Sequence, residues 1–356
     1  MEEEVEKLEG EVKKEWPALI SGVGGITALI GLAASLAGGV TWLVNHHKLS
    51  QERQAKLALA QTEADQGQYQ ISIETYGEIL KDDPTDSQAL DGQLGAAELW
   101  VENFEVVAPE GQDTAPAAAA MLDQIMPILE AGLTRAQGAQ AADIQAHLAW
   151  AHWFNQSLAQ RESGNAGVEN LRQALKLDPA NPLANAMMGD WTLRTSRDLA
   201  RAMPYFNAAE ATGKARPLVR MLELSSLLEF DNKGSRAELV RVANAMRKGG
   251  EPLEDEYKGR IARMCFDPEL RDLDELMESL TAAPPGEVSL TYEWLDPNPD
   301  ADYRHRMHRF VEASLLEVSG DKPDALARFR ELQKDLKDAP GSLKDQVDAA
   351  VKRLKE

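Results

Sequence analysis

The chain has 356 residues, 43% of them apolar, with 59 acidic against 38 basic side chains and a formal net charge of −21. Such a surface repels phosphate backbones, which argues against sequence-independent nucleic-acid binding and suits a basic partner better. The length holds two average domains or one elongated array, and the single cysteine, Cys265, rules out an intrachain disulfide.

Residues 1–16 form an acidic tail in which "MEEEVEKLEGEVKKE" carries seven acids against three lysines. Val5, Leu8 and Val12 would share one face of a short amphipathic helix there. From Leu19 to Val44 no residue is charged. As a helix these positions span roughly 39 Å, enough for a hydrocarbon core of about 30 Å. The acidic flank and the length are wrong for a cleaved signal peptide, so residues 17–45 are expected to form one transmembrane helix. Trp16 and Trp42 stand where amphipathic rings favour the headgroup zone. Gly31, Ser35 and Gly39 recur every four residues and offer a face on which a second helix, of another subunit or another copy, could pack closely. A plain tolerance of small residues in membrane helices is the alternative. Lys7, Lys13 and Lys14 before the span balance Lys48, Arg53 and Lys56 after it, so orientation stays open.

Residues 50–213 carry internal repeats. In "GQYQISIETYGEILKDDPTD" the turn glycine Gly67 is followed at intervals of five, four and three by Ser72, Tyr76 and Ile79, then by Pro84. Gly320, Ala325, Phe329 and Leu332 keep the same intervals near the C-terminus. Gly167, Leu171, Ala174 and Pro179 repeat the later steps, as do Ala202, Phe206 and Ala209. The spacing describes a helix whose small residue nestles against the preceding helix, with a large apolar residue one turn on and a proline that stops it. The preceding-helix half is visible in "ANPLANAMMGDWTL", where Gly189 is the small residue of close approach. These stretches resemble the tetratricopeptide repeat (TPR), and the resemblance implies an all-α helical-repeat solenoid. Pro84 and Pro179 are 95 residues apart, not a multiple of the 34-residue unit, so an insertion is expected at about 106–143: a Pro/Gly loop, then an Ala-rich amphipathic helix.

Residues 214–281 keep helical patterning without the signature and read as degenerate helical pairs, with Ser235 and Glu238 in capping-box spacing and Asp267 and Pro268 opening the next helix. The stretch 282–302 is proline-rich and reads as an ordered loop with exposed aromatics. Residues 303–356 read as a C-terminal TPR-like unit and a solvated closing helix.

Phosphate-binding loops, zinc-protease His pairs, Cys-x-x-Cys pairs and nucleophile elbows are absent, and neither an enzyme nor a cofactor is expected. His305 and His308, with Asp302, could sit on one helix face as metal ligands, but Arg304, Arg306 and Arg309 would oppose a cation. His147 and His152 read as packing or groove residues. Between Asp267 and Asp302 lie eleven acids and one basic residue, Arg271, so Asp272, Asp274, Glu275 and Glu278 are either a solvated face or a docking surface for a basic partner. Some TPR proteins clamp a partner's carboxylate with Lys, Arg and Asn from the first helices. The corresponding places here hold Leu57 and Gln61, His152 and Gln156, and Ala186 and Asp190, which do not form that clamp. The expectation is a membrane-anchored scaffold, resembling the anchored repeat proteins of bacterial envelopes, that holds a protein partner or stabilises a membrane complex. The alternatives are an organelle-type receptor with a cytosolic array, a subunit attached chiefly through its membrane helix, and a metal- or thiol-dependent enzyme.

Overall fold

The computed structural model describes residues 49–104, 114–161, 164–211, 216–268, 270–271, 273–296, 300–337 and 341–355. The described residues form sixteen helices and no strand, so the chain is all-α. None of these helices is long and apolar enough to cross a membrane. The span expected over 17–45, with Trp16, Gly31, Ser35, Gly39 and Trp42, lies outside the described residues. The chain divides into two compact units, one ending at Trp100 and the other running from Val101 to Glu356.

The first unit contains α1 (49–65), α2 (Tyr69–Asp82) and most of α3 (Ser87–Glu102). Ala60, Tyr76, Ile79 and Ala89 form its core. Buried Ser72 donates its hydroxyl to the carbonyl of Ala60 at 2.8 Å, which satisfies that polar atom inside the contact. Gly92 of α3 lies under Tyr76, and a Cβ there would stand 2.3 Å from the ring, so no other residue fits without displacing it. Asp83 accepts from the Thr85 amide in a turn before α3. Asp86 then caps the helix by accepting from the Gln88 and Ala89 amides, and the Arg53 guanidinium grips the same carboxylate. Those contacts, the Arg53 hydrogen bond foremost, lower the Asp86 pKa to about 2.

The second unit opens with α4 (Ala115–Arg135), whose buried Ala118, Met121, Leu122, Ile125, Leu129 and Gly132 keep helical spacing. The helix α5 (Gly138–Ser157) packs against α4, α6 (Ala166–Leu177) and α7 (Pro182–Ser196). Burial on those sides explains its ten buried residues and its lack of a single apolar stripe. The succession continues with α8 (Leu199–Glu210), α9 (Pro217–Glu229) and α10 (Ser235–Gly249). Three helices then pack on α10: α11 (Asp255–Phe266), α12 (Leu273–Leu280) and α13 (Pro285–Leu295). The unit closes with α14 (Ala301–Val318), α15 (Lys322–Asp335) and α16 (Ser342–Arg353). One apolar cluster runs from Leu224 to Val351 through these later helices.

Apart from Gly167, the helix-borne residues singled out by the repeat spacing are buried. Ser72, Tyr76, Ile79, Leu171, Ala174, Ala202, Phe206, Ala209, Ala325, Phe329 and Leu332 are 4% exposed or less. The structure adds a copy that the sequence hid: Gly234 is followed at the same intervals by Leu239, Ala243 and Met246, each 2% exposed or less. Gly67, Gly234 and Gly320 have φ of +76°, +88° and +89°, the left-handed turn that leads into the second helix. Arg197 holds that place before Ala202 with φ +56°, and its guanidinium lies 4.1 Å from the Phe230 ring centre, a contact that offsets part of the strain.

Gly320→Ala should therefore lose about 1 kcal/mol, while Gly286→Ala, where no atom lies within 4 Å of an added Cβ and φ is helical, should gain up to about 1 kcal/mol. Urea unfolding midpoints check both. Shifts in the same direction would contradict the turn argument.

Residues 285–295 correct the expectation of a loop over 282–302. Pro284 caps α13 and Pro285 occupies its first position, where a missing N–H costs nothing. Proline content misled because the prolines flank the helix. Val288, Thr291, Tyr292 and Leu295 are buried along one face. The aromatics are not the exposed pair expected: Tyr292 is 3% exposed, and Trp294 packs under Lys258 with the ammonium 5.2 Å from the ring centre.

Candidate functional site

Within the second unit, α5, α6, α7 and α9 line a surface groove of about 300 Å³. Gly167 is part of its lining. A Cβ there would lie 3.3 Å from the Ala149 carbonyl, so glycine lets α6 close onto α5. Trp150 and Trp153, one turn apart on α5, stack with centroids 4.8 Å apart and planes at 3°. Trp150 is anchored by donating its indole N–H to the Val101 carbonyl at 3.1 Å. Trp153 on α5 and Trp191 on α7, which both line the groove, keep 39% and 37% of their surface exposed.

The opposite wall is held by polar contacts. Asp190 accepts from Arg194 Nε at 2.9 Å and from the Ser226 hydroxyl of α9 at 2.6 Å, and Arg194 also pairs with Glu229 at 2.7 Å. That chain fixes the distance between α7 and α9, and with it the place of Leu222 in the lining. His152 faces the groove with Nδ1 buried and without a hydrogen-bond partner. Burial lowers its pKa against the opposing pull of Glu130. The lining combines aromatic and apolar surface with the polar side chains of His152, Gln156, Asn165, Asp190 and Arg194, a mixture that can take up a side chain or a short peptide.

His152, Gln156 and Asp190, at first-helix places that a carboxylate clamp would use, all line this groove; Ala186 is fully buried. His147 points elsewhere and is 1% exposed, its Nε2 2.7 Å from Glu102 and its Nδ1 2.8 Å from the Asp143 carbonyl. Arg216 joins the same cluster through Glu102 and Asp143. Burial alone would raise the Glu102 pKa, but the hydrogen bonds from His147 and Arg216 outweigh it and bring it to about 2. This cluster ties helices together.

Of the acidic residues singled out earlier, Asp272 lies outside the described residues and Asp274 is exposed. Glu275 and Glu278 turn inward to the buried guanidinium of Arg236, at 2.8 and 3.3 Å. His305 and His308 border a cavity of about 380 Å³ with Tyr292, Glu293, Asp296 and Arg304. Cys265 is fully buried, and burial pushes its thiol up to about 12.

The three tryptophans were not read as a group from the sequence. The signal available was "AWAHWF", with two tryptophans one turn apart on an alanine-rich helix. A scan against protein-family models finds no match to this chain, and a search of the curated proteins likewise finds none.

Proposed function

We propose that this chain is a membrane-anchored, TPR-like helical-repeat scaffold, without enzymatic activity of its own, that holds a protein partner at the membrane surface. The observation that carries the reading is the groove: Trp153 and Trp191, both partly exposed and on different helices, line it together with His152, Gln156 and Asp190 at first-helix positions. The buried five-four-three spacing supports a repeat array of TPR type. The uncharged run from Leu19 to Val44 supports the anchor, with the small-residue face of Gly31, Ser35 and Gly39 as a second contact inside the bilayer. The bacterial inner membrane is the proposed location.

Two measurements test this. The full-length protein should stay in the membrane pellet after alkaline carbonate extraction, and a version starting at Lys48 should not; a soluble full-length protein would remove the anchor. A photo-crosslinking residue at position 191 should trap the partner that co-purifies with the wild type in mild detergent, and Trp153→Ala with Trp191→Ala should lose it. Full retention by the double variant would remove the groove from the reading and leave the membrane helix as the point of attachment.

A further inference from the structure

Away from the groove lining, the junction of α8, α9 and α10 contains a buried group that the partner-binding reading does not use. Glu223 on α9 is 1% exposed. Gathered around it are Glu210 from α8, Arg220 from α9 itself, Glu238 and Arg241 from α10, and Glu251 from the segment after α10. Its Oε1 makes no hydrogen bond. The nearest arginine nitrogens lie 3.6 Å (Arg241) and 3.7 Å (Arg220) away, beyond hydrogen-bond distance.

Glu210, by contrast, binds both guanidinium groups directly. Glu210 and Glu223 are neighbouring carboxyls in one buried cluster, and each acts on the other's ionisation. Two like charges in such a site disfavour each other, and the proton that relieves them belongs on Glu223, the more buried group and the one without a direct cation, while Glu210 keeps its charge against two arginines. With that proton the six groups carry three negative and two positive charges; without it a fourth buried negative charge is left with no hydrogen-bonded cation.

We propose that the protonated Glu223 carboxyl is a latch that joins α9 to α8 and α10 and opens when the proton leaves. Leu222 and Ser226 flank Glu223 on α9; the first lines the groove and the second holds Asp190, so an open latch frees one groove wall. Only that coupling to the groove rests on the partner-binding reading. Burial, followed by the Glu210 charge, raises the Glu223 pKa from 4.5 to about 9. A folded-state value above the unfolded one means that the proton's contribution is complete in mild acid. It is lost progressively as pH rises from the unfolded value through the folded one.

The test is amide hydrogen exchange, corrected for its intrinsic pH dependence, in the full chain and in Glu223→Gln, which keeps the shape and cannot titrate. Protection of residues 217–229 should fall about tenfold or more between about pH 7 and about pH 10 in the wild type and change less than about twofold in the variant. In the infrared, the wild type at neutral pH should show a protonated-carboxyl C=O band that Glu223→Gln removes. An equal loss of protection in both proteins, or a wild-type spectrum without that band, would overturn the latch. Neither readout involves a partner, so a failed groove assay leaves both informative.

Discussion

Replacing Phe206 with alanine should lower the stability of the second unit by about 3–5 kcal/mol, the range for deleting a fully buried ring. Phe206 is 0% exposed in a cluster with Leu193, Ala202 and Phe230, and it fills the space that Gly189 leaves open on α7. A Cβ on residue 189 would stand 2.7 Å from the ring, a distance that forces either the ring or the helix to move. Gly189→Leu in the wild type should therefore also destabilise, by about 1–3 kcal/mol through overpacking. In the Phe206→Ala background the same leucine has a cavity to enter, so its penalty should shrink or reverse. A double-mutant cycle from denaturant unfolding reads this as a coupling of about 1 kcal/mol or more. Additive effects would mean that Gly189 and Phe206 do not share one space, and the small-residue reading of the repeat would lose its physical basis here.

The repeat spacing was legible because each motif residue answers to its own local helix period. Ser72, Ala202 and Ala325 are buried at the helix contact whatever the rest of the chain does. The copy at Leu239, Ala243 and Met246 escaped notice because its size pattern is reversed: a large residue stands in the small place and alanine in the aromatic one. The helix over 285–295 was missed for a different reason. Proline is helix-breaking inside a helix and harmless at its first position, and composition alone does not separate the two cases.

The groove lies one level further from the sequence. Trp153 and Trp191 each fall on an expected helix, but the groove that they share depends on the α5–α6 approach at Gly167 and on the Ser226–Asp190 contact. The latch was hidden too. In "RMLELSSLLE" the only local sign is Glu223 set between two leucines, and nothing nearby identifies Glu210 as its partner.

Arg236→Ala should cost about 2–3 kcal/mol, below the full penalty of a wholly buried pair because its partners keep some contact with water. The Arg236 side chain is 6% exposed and reaches Asp231 at 2.8 Å, Glu275 at 2.8 Å and Glu278 at 3.3 Å. Those carboxylates are 30%, 34% and 21% exposed. Without the guanidinium they face one another, and Arg271, which pairs with Asp231, is the cation left beside them. Arg236→Lys should recover only part of the loss, since an ammonium cannot serve several carboxylates in a planar fork. The same geometry separates the two readings of the acidic stretch. If Glu275 and Glu278 serve chiefly to hold α12 onto α10, Glu275→Gln should lower the unfolding midpoint in urea and exposed Asp274→Asn should leave it within about 0.5 kcal/mol. If a basic partner docks on this face instead, it must compete with a guanidinium already seated at hydrogen-bond distance. Its binding should then respond to Asp274→Asn and to added salt more than stability does. A stability loss confined to Glu275→Gln, with salt-independent binding, assigns these charges to the fold.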